Sequence, residues 1–412
     1  MGKFSGREKL LLGTFFSAWI IYAIFASLYG SEASVMMNFF GLSSTEQGFL
    51  TTIQCIGGLG VALMCVFIGE RMNKLRMIAI GIALLFAGSL ATAFGVNYIQ
   101  IILFALIAGI GYTFMDIMEN ASVVDIFPNR TKTVLPMLHM NYGIGAMIGP
   151  FFATAVVDPN TPSSFGRPFL FVAVASMVVF VFLLIASRRM GTQNRQPAAP
   201  KKETQNPGSI FKYPSAWVMI AAGVLYFSFQ RGIMTWYPSY LYEDIRTTFA
   251  FSGLATTLFF VGSLACRIVS PALFNRFNIL KMTILMTVLC AVCMVASIAV
   301  APAFITLAVA LAIAAGILQG AFVAAFVFLI CDMFPGKSAA ASGMVMIAIN
   351  LGGITSPLWM GSMKDQLGGY TIPLYIVTLM LVGSAGLIAL AHRMNRKKRD
   401  AAKPAGECSQ TY

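Results

Sequence analysis

Charge is what this sequence has least of. Asp, Glu, Lys and Arg make up 10% of its 412 residues, where a soluble domain carries about 25%. So sparse a set cannot cover a water-facing surface, which excludes a soluble globular fold. The 7 cysteines fall into no metal-ligand pattern, and six lie in or beside apolar runs, where a thiol acts as a small packing residue. No segment resembles a nucleotide-binding loop and no side-chain constellation suggests covalent catalysis. An enzyme, a resident cofactor and a bound metal are therefore not expected, and an ion gradient is the energy source the chain implies. A cleavable signal peptide is not expected either, because the first apolar run is too long and leads directly into further apolar runs.

What is present is hydrophobic sequence, 58% of the chain with mean hydropathy +0.80. A membrane-spanning helix needs about 20 apolar residues, and twelve such stretches are predicted. Six lie near 10–34, 47–69, 76–95, 99–126, 133–156 and 168–187, and six near 214–239, 250–273, 280–300, 303–331, 340–363 and 371–391. The net charge of +13 would suit nucleic acid if it formed one patch. Instead 23 of the 28 Lys and Arg fall in alternate loops and at the ends, the distribution of the positive-inside rule. Both termini are thus expected in the cytoplasm, with lipid as the surrounding partner and no nucleic acid.

The chain nearly repeats itself at half length. At an offset of 207 positions Gly109 falls on Gly316, Asp125 on Asp332, Phe127 on Phe334, Pro128 on Pro335, Gly145 on Gly352 and Pro150 on Pro357. At 205, Gly48 falls on Gly253, Thr51 and Thr52 on Thr256 and Thr257, Gly57 on Gly262 and Arg71 on Arg276. A two-fold repeat of apolar helices is a common design of secondary transporters, with the solute site between the halves. The expected organisation is a six-helix bundle over 1–187, a basic linker over 188–213, a second bundle over 214–394 and a basic tail over 395–412. Glycines at helix-contact spacing, such as Gly143, Gly145 and Gly149, suit close backbone approach, and Pro150 and Pro357 suit a hinge.

Strongly polar groups inside a span are expensive and are functional candidates by default. Asp116 and Asn120 share a face of the fourth span, with Tyr112 on the same stripe and Glu119 at its edge. Asp116 either loads and releases a proton in a working cycle or pairs with a basic residue on a neighbouring helix. Glu119 either joins it or faces a cytoplasmic vestibule. His139, with Asn141 and Tyr142 beside it in the fifth span, can relay protons or bind solute, or be a buried imidazole bonded to a backbone carbonyl or to Asn120. In the seventh span Arg231, next to Gln230, either binds an anion or pairs with an acid. Arg267 in the eighth either binds an anion or locks cytoplasmic helix ends together. Asp125 and Asp332 read as structural, pairing with loop cations to hold one gate. Glu32 reads as a residue in outer-side water. Gln54, Gln319, Asn350, Trp19, Tyr226, Trp236 and Trp359 complete a possible cavity of aromatic faces and a few hydrogen-bonding groups, the make-up of a sugar site.

With these residues in view, the whole chain resembles the major facilitator superfamily. GERMNKLRM (69–77) resembles that superfamily's first cytoplasmic loop motif, with Glu70 and Arg71 as its acid–arginine pair and Asn73 in place of its glycine. GIGAMIGP (143–150) is similar to its glycine-rich fifth-helix motif. Asp116-x-x-x-Asn120 followed by Leu138-His139 and the glycine run resembles the fucose–proton symporter group, as does YFSFQRGIMTWYPSYL (226–241), with Gln230 where that group commonly has an acid. The resemblance implies an all-α fold of twelve transmembrane helices in two pseudo-symmetric bundles, alternating access, and a role for Asp116 in proton coupling and sugar binding.

The reading favoured by sequence is proton-coupled transport of a sugar or polyol by a monomer in a bacterial inner membrane. Proton coupling is expected at Asp116, Glu119 and His139. Solute contacts are expected at Asn120, Asn141, Tyr226, Gln230, Arg231, Trp236, Gln319 and Asn350, and gating at Glu70, Arg71, Asp125, Arg267 and Asp332. The alternatives are efflux of lipophilic cations and exchange of organic anions on Arg231 or Arg267. A transporter-like receptor would be expected to carry a long folded extension, and no such extension is read in the sequence.

Overall fold

A computed structural model describes residues 4–69, 72–190, 207–334 and 338–401. Glu70, Arg71, Pro335, most of the expected linker and the end of the expected tail lie outside the described residues. Fourteen α-helices follow in order: α1 Gly6–Ser31, α2 Ala33–Phe40, α3 Ser44–Ile68, α4 Lys74–Ala93, α5 Tyr98–Ile126, α6 Thr131–Val156, α7 Gly166–Met190, α8 Pro214–Ser239, α9 Phe249–Arg276, α10 Ile279–Val300, α11 Ile305–Gly320, α12 Phe322–Met333, α13 Ser338–Leu367 and α14 Thr371–Ala401. They make twelve crossings. The short helix α2 extends the first crossing, and α11 and α12 are two parts of one, interrupted at Ala321. Eleven crossings are apolar enough to be recognised by hydropathy alone. The exception is α6, whose composition is diluted by His139, Asn141, Tyr142 and its glycines. The chain is a multi-pass membrane protein.

Local chemistry sets the helix ends, and sets them twice. Ser43 caps α3 by accepting from the Glu46 N–H at 3.2 Å, while Glu46 reaches back to the Ser43 N–H. Thr248, at the equivalent position of the second half, caps α9 by accepting from Phe251 N. Asn73 accepts from Arg76 N at the start of α4, and Asn278 from Lys281 N at the start of α10. Each cap satisfies one of the N–H groups that a helix start leaves without an internal partner.

The repeat also fixes packing. Gly109 of α5 sits against the backbone of Gln54 in α3, and Gly316 of α11 sits against the backbone of Phe259 in α9. A Cβ at either position would collide with main chain, so the glycines are required by the approach itself. The halves then meet along α1 with α8, α3 with α13, and α6 with α9. The last two pairs are equivalent under the repeat. Gly48 of α3 abuts the carbonyl of Pro357 in α13, and Gly253 of α9 abuts that of Pro150 in α6. Thr52 donates to Ile354 O at 2.8 Å, and its counterpart Thr257 donates to Met147 O at 2.8 Å. Two matched struts therefore join the halves, both on the side opposite the basic loops.

That same side carries a further tie without a symmetric partner. Asp365 at the end of α13 accepts from Ser44 N and Thr45 N at the start of α3, both at 2.8 Å, and from Thr45 Oγ1 at 2.6 Å. Lys364 pairs with Glu243 at 3.5 Å, and Glu243 accepts from Ser34 Oγ at 2.6 Å. Asp158, the equivalent of Asp365, bonds within its own turn instead. The N–H of Asn160 and the Thr161 hydroxyl hold its carboxyl below the ordinary range. The hydrogen bonds joining the halves lie at mid-depth or on this side, so the cleft between the halves is closed away from the basic loops.

Candidate functional site

The site is built from the helices that line the junction of the halves. From the first half, α1 contributes Trp19 and Tyr22, α3 Cys55, α5 Tyr112, Asp116, Glu119 and Asn120, and α6 His139 and Tyr142. From the second, α8 contributes Tyr226, Gln230 and Arg231, α9 Arg267 and α13 Asn350. Trp19 and Tyr22 share a face because they are three apart on a helix, and so do Tyr112 and Asp116 at four.

An aromatic wall forms the first-half side. Tyr22 stacks on Tyr112 with ring centroids 4.5 Å apart, and the Tyr142 ring stands across Tyr22 at 5.3 Å. Trp19 meets His139 edge-on at 4.8 Å. Arg231 crosses from the second half to this wall. Its Nη2 lies 3.9 Å from Cys55 Sγ, and its charge acts on Tyr22, Tyr112 and Tyr142. Among the described residues no carboxylate comes within ion-pair distance of Arg231. Of the two readings of Arg231 from sequence, pairing with an acid is not what the structure contains.

Among the described residues Asp116 is likewise without a cationic partner. Asn120 Nδ2 donates to its Oδ1 at 2.7 Å and to its backbone carbonyl at 2.9 Å. Asn120 is thereby committed to Asp116 and does not reach His139. Glu119 is fully buried and neither of its carboxylate oxygens has a hydrogen bond, although the equally unpartnered indole N–H of Trp19 stands beside it. His139 is exposed to the cleft. Asn141 Nδ2 is spent on Met137 O at 2.7 Å.

The second-half wall is more fully bonded. Gln319 accepts from the Tyr226 hydroxyl at 2.7 Å and donates to Ser263 Oγ at 2.9 Å. Tyr226 stacks face to face on Phe322 at 3.4 Å. Tyr226 and Gln319 are thus occupied with each other, and Gln230 is nearest to them at 3.5 Å. Trp236 is fully buried, donates to Pro357 O at 3.1 Å and stacks on Tyr370, toward the closed side and away from Arg231. Asn350 lies opposite Gly58 of α3, with its amide bonded to Met346 O at 3.0 Å.

The expected gate residues separate. Asp125 pairs with Lys74, joining α4 to α5 within the first half rather than tying the halves together. Asp332 is exposed on the basic side. Glu32, expected in outer-side water, is completely buried with both oxygens unpartnered, at the junction of α1 and α2. Tyr22, Cys55 and Asp365 were not singled out by the sequence. The helical spacing from Trp19 was the available signal for Tyr22, and no local signal marked the other two.

Comparison with known proteins gives one consistent result. The chain is 22% identical to the cyanate transport protein CynX of Escherichia coli over 57% of its own length and 58% of that protein's. It is 24% identical to a gentisate transporter of Corynebacterium glutamicum over 68% of its length and 64% of that protein's. The chain thus spans about three fifths of the length of the curated relatives it matches. Its fold superimposes on an inward-facing, occupied bacterial homologue of the lysosomal transporter Spinster with a TM-score of 0.77 at 14% identity, covering 96% of this chain and 99% of that one. It also superimposes on a D-xylose–proton symporter with a TM-score of 0.69 at 14% identity, covering 92% and 96%. The sequence pattern of the Major Facilitator Superfamily matches residues 10–302 and 231–409. The relatives are transporters rather than enzymes, and this chain belongs to the Major Facilitator Superfamily.

Proposed function

We propose that this protein carries a small organic anion across the membrane by alternating access, driven by protons that bind at Asp116. The observation that carries the anion reading is Arg231, a guanidinium at the junction of the halves with no carboxylate partner among the described residues. A charge in such a setting carries a penalty of several kcal/mol that an arriving counter-ion relieves. A neutral sugar would leave that penalty in place, and a lipophilic cation would increase it. The two relatives named for cyanate and gentisate, both anions, support the same reading.

The sugar or polyol reading keeps a specific observation in its favour, the stacked ring faces of Tyr22 and Tyr112 with Gln230 and Asn350 nearby. It is weakened because Tyr226 and Gln319 satisfy each other. Asp116 is placed to couple because it is a carboxyl at solute depth held by a neutral amide, so loading a proton breaks no ion pair. The positive-inside distribution of the loops supports an orientation with both termini in the cytoplasm, and a bacterial inner membrane is the proposed location. The state described then opens to the cytoplasm, between bundles over 1–187 and 214–394.

Purified protein screened by thermal shift against gentisate, benzoate, cyanate, xylose and fucose tests the solute class. A ligand at 100 times its Kd stabilises by about 2.7 kcal/mol. Anions are expected to raise the melting temperature of the wild type and not of Arg231→Gln. Sugars that stabilise wild type and Arg231→Gln alike, with no anion doing so, would overturn the anion reading. In proteoliposomes Asp116→Asn is expected to abolish pH-gradient-driven uptake and spare solute exchange. Driven uptake at the wild-type rate would remove Asp116 from the coupling role.

A further inference from the structure

Between Arg231 and the basic face stands a second guanidinium without a counter-ion. Arg267 leaves α9 about 12 Å nearer that face than Arg231 leaves α8, at 1.5 Å of helix rise per residue. Its Nε is buried and bonded to nothing, and no carboxylate among the described residues pairs with it. Across the cleft it faces α6, where its charge acts on His139 and Tyr142, and on its own side it acts on Tyr226. His139 is open to the cleft and rests edge-on against Trp19. Tyr142 feels both arginines. Between their depths Leu264 of α9 packs onto Gly143 of α6.

We propose that Arg267, with His139 opposite, is a second anion-binding station, occupied after Arg231 on the way to the basic face. The inference rests on the anion reading of the cavity and adds to it a position, a partner residue and an order. Their helix positions differ in depth by about 12 Å, so an anion moving toward the basic face meets the two guanidiniums in turn. A second positive charge along the path lowers the cost of leaving the first, which a single unpaired arginine would otherwise impose on release.

Trp19 reports on this station, because its ring touches His139 while the other three tryptophans lie elsewhere. Iodide, a small anion that quenches indole fluorescence on contact, is the probe, and acrylamide is the neutral control. The Trp19 signal is taken as the difference between the purified full chain and Trp19→Phe. Iodide is expected to quench it saturably. The ratio of iodide to acrylamide quenching should fall at least about threefold in Arg267→Gln, and be kept in Arg267→Lys and in Arg231→Gln. An unchanged ratio in Arg267→Gln, with its melting temperature intact, overturns the station. If Arg231→Gln alone removes saturable quenching, the station falls and the anion reading stands. Non-saturable quenching in every variant removes both.

Discussion

Replacing Asp365 with alanine tests how the cleft is held shut on the side away from the basic loops. Three hydrogen bonds are lost, two of them from backbone N–H groups at the start of α3. A hydrogen bond to a charged group contributes about 1.5–3 kcal/mol when shielded. Asp365 is exposed, so water replaces much of that and salt screens the rest. A net loss of about 1–2 kcal/mol from the closed side remains, which is a factor of about 5–30 in the population open on that side. Cys55 supplies the assay. It is buried beside Arg231 where the halves meet, so a membrane-impermeant maleimide added to intact cells reaches it when the outer side opens. The labelling rate, corrected with a Cys55→Ser blank, should rise about 5–30-fold in Asp365→Ala and by a smaller factor in Thr45→Ala, which loses one bond of the three. A change below about twofold, in protein of unaltered melting temperature, would refute the assignment of Asp365 as the tie.

Two stability predictions follow from the packing. Lys74→Met breaks an ion pair whose side chains are 23% and 50% exposed; such a pair contributes about 0–1 kcal/mol, so the melting temperature should fall by no more than about 4 °C, and a larger drop would mean the pair braces α4 against α5. Gly316→Ala drives a Cβ into the backbone of Phe259, and overpacking of this kind costs about 1–3 kcal/mol. Gly60→Ala, on a helix position with nothing within 4 Å, should instead be neutral or gain up to about 1 kcal/mol; equal melting temperatures for the two variants would contradict the contact.

Helices, their order and the repeat were legible in the sequence because each is written locally, in apolar length, caps and glycine landmarks. The offset pairs turned out to mark physical contacts. Thr52 and Thr257, matched as letters, make matched hydrogen bonds to the opposite half. Asp116, Asn120, His139 and Arg231 were legible because a strongly polar side chain in a span is costly to bury and stands out against its apolar neighbours. What was not legible depends on the rotation of one helix against another. Nothing local says that Tyr226 and Gln319, 93 positions apart, occupy each other, or that Trp236 turns toward Pro357. The burial of Glu32 depends on how the junction of α1 and α2 packs, which no local pattern writes. Asp365 looked like an ordinary loop acid because its partners lie 320 and 321 positions away.

The two walls of the cavity differ in sign. Both carboxyls, Asp116 and Glu119, are carried by α5 of the first half, and both unpaired guanidiniums, Arg231 and Arg267, by α8 and α9 of the second. On the reading proposed above, proton and anion load on opposite halves. Their neutralisation is a property of the junction rather than of either bundle. With one proton and one anion aboard, one charge of each sign remains across the junction. With neither aboard and the carboxyls ionised, the walls attract. Both of these conditions favour approach of the halves. With the anion alone, two negative charges face one positive, a net charge that closure would have to desolvate. A carrier wired this way selects against slipping its solute through without the accompanying proton, and it does so by the placement of charge across a seam, with no need for a dedicated gate residue that senses loading.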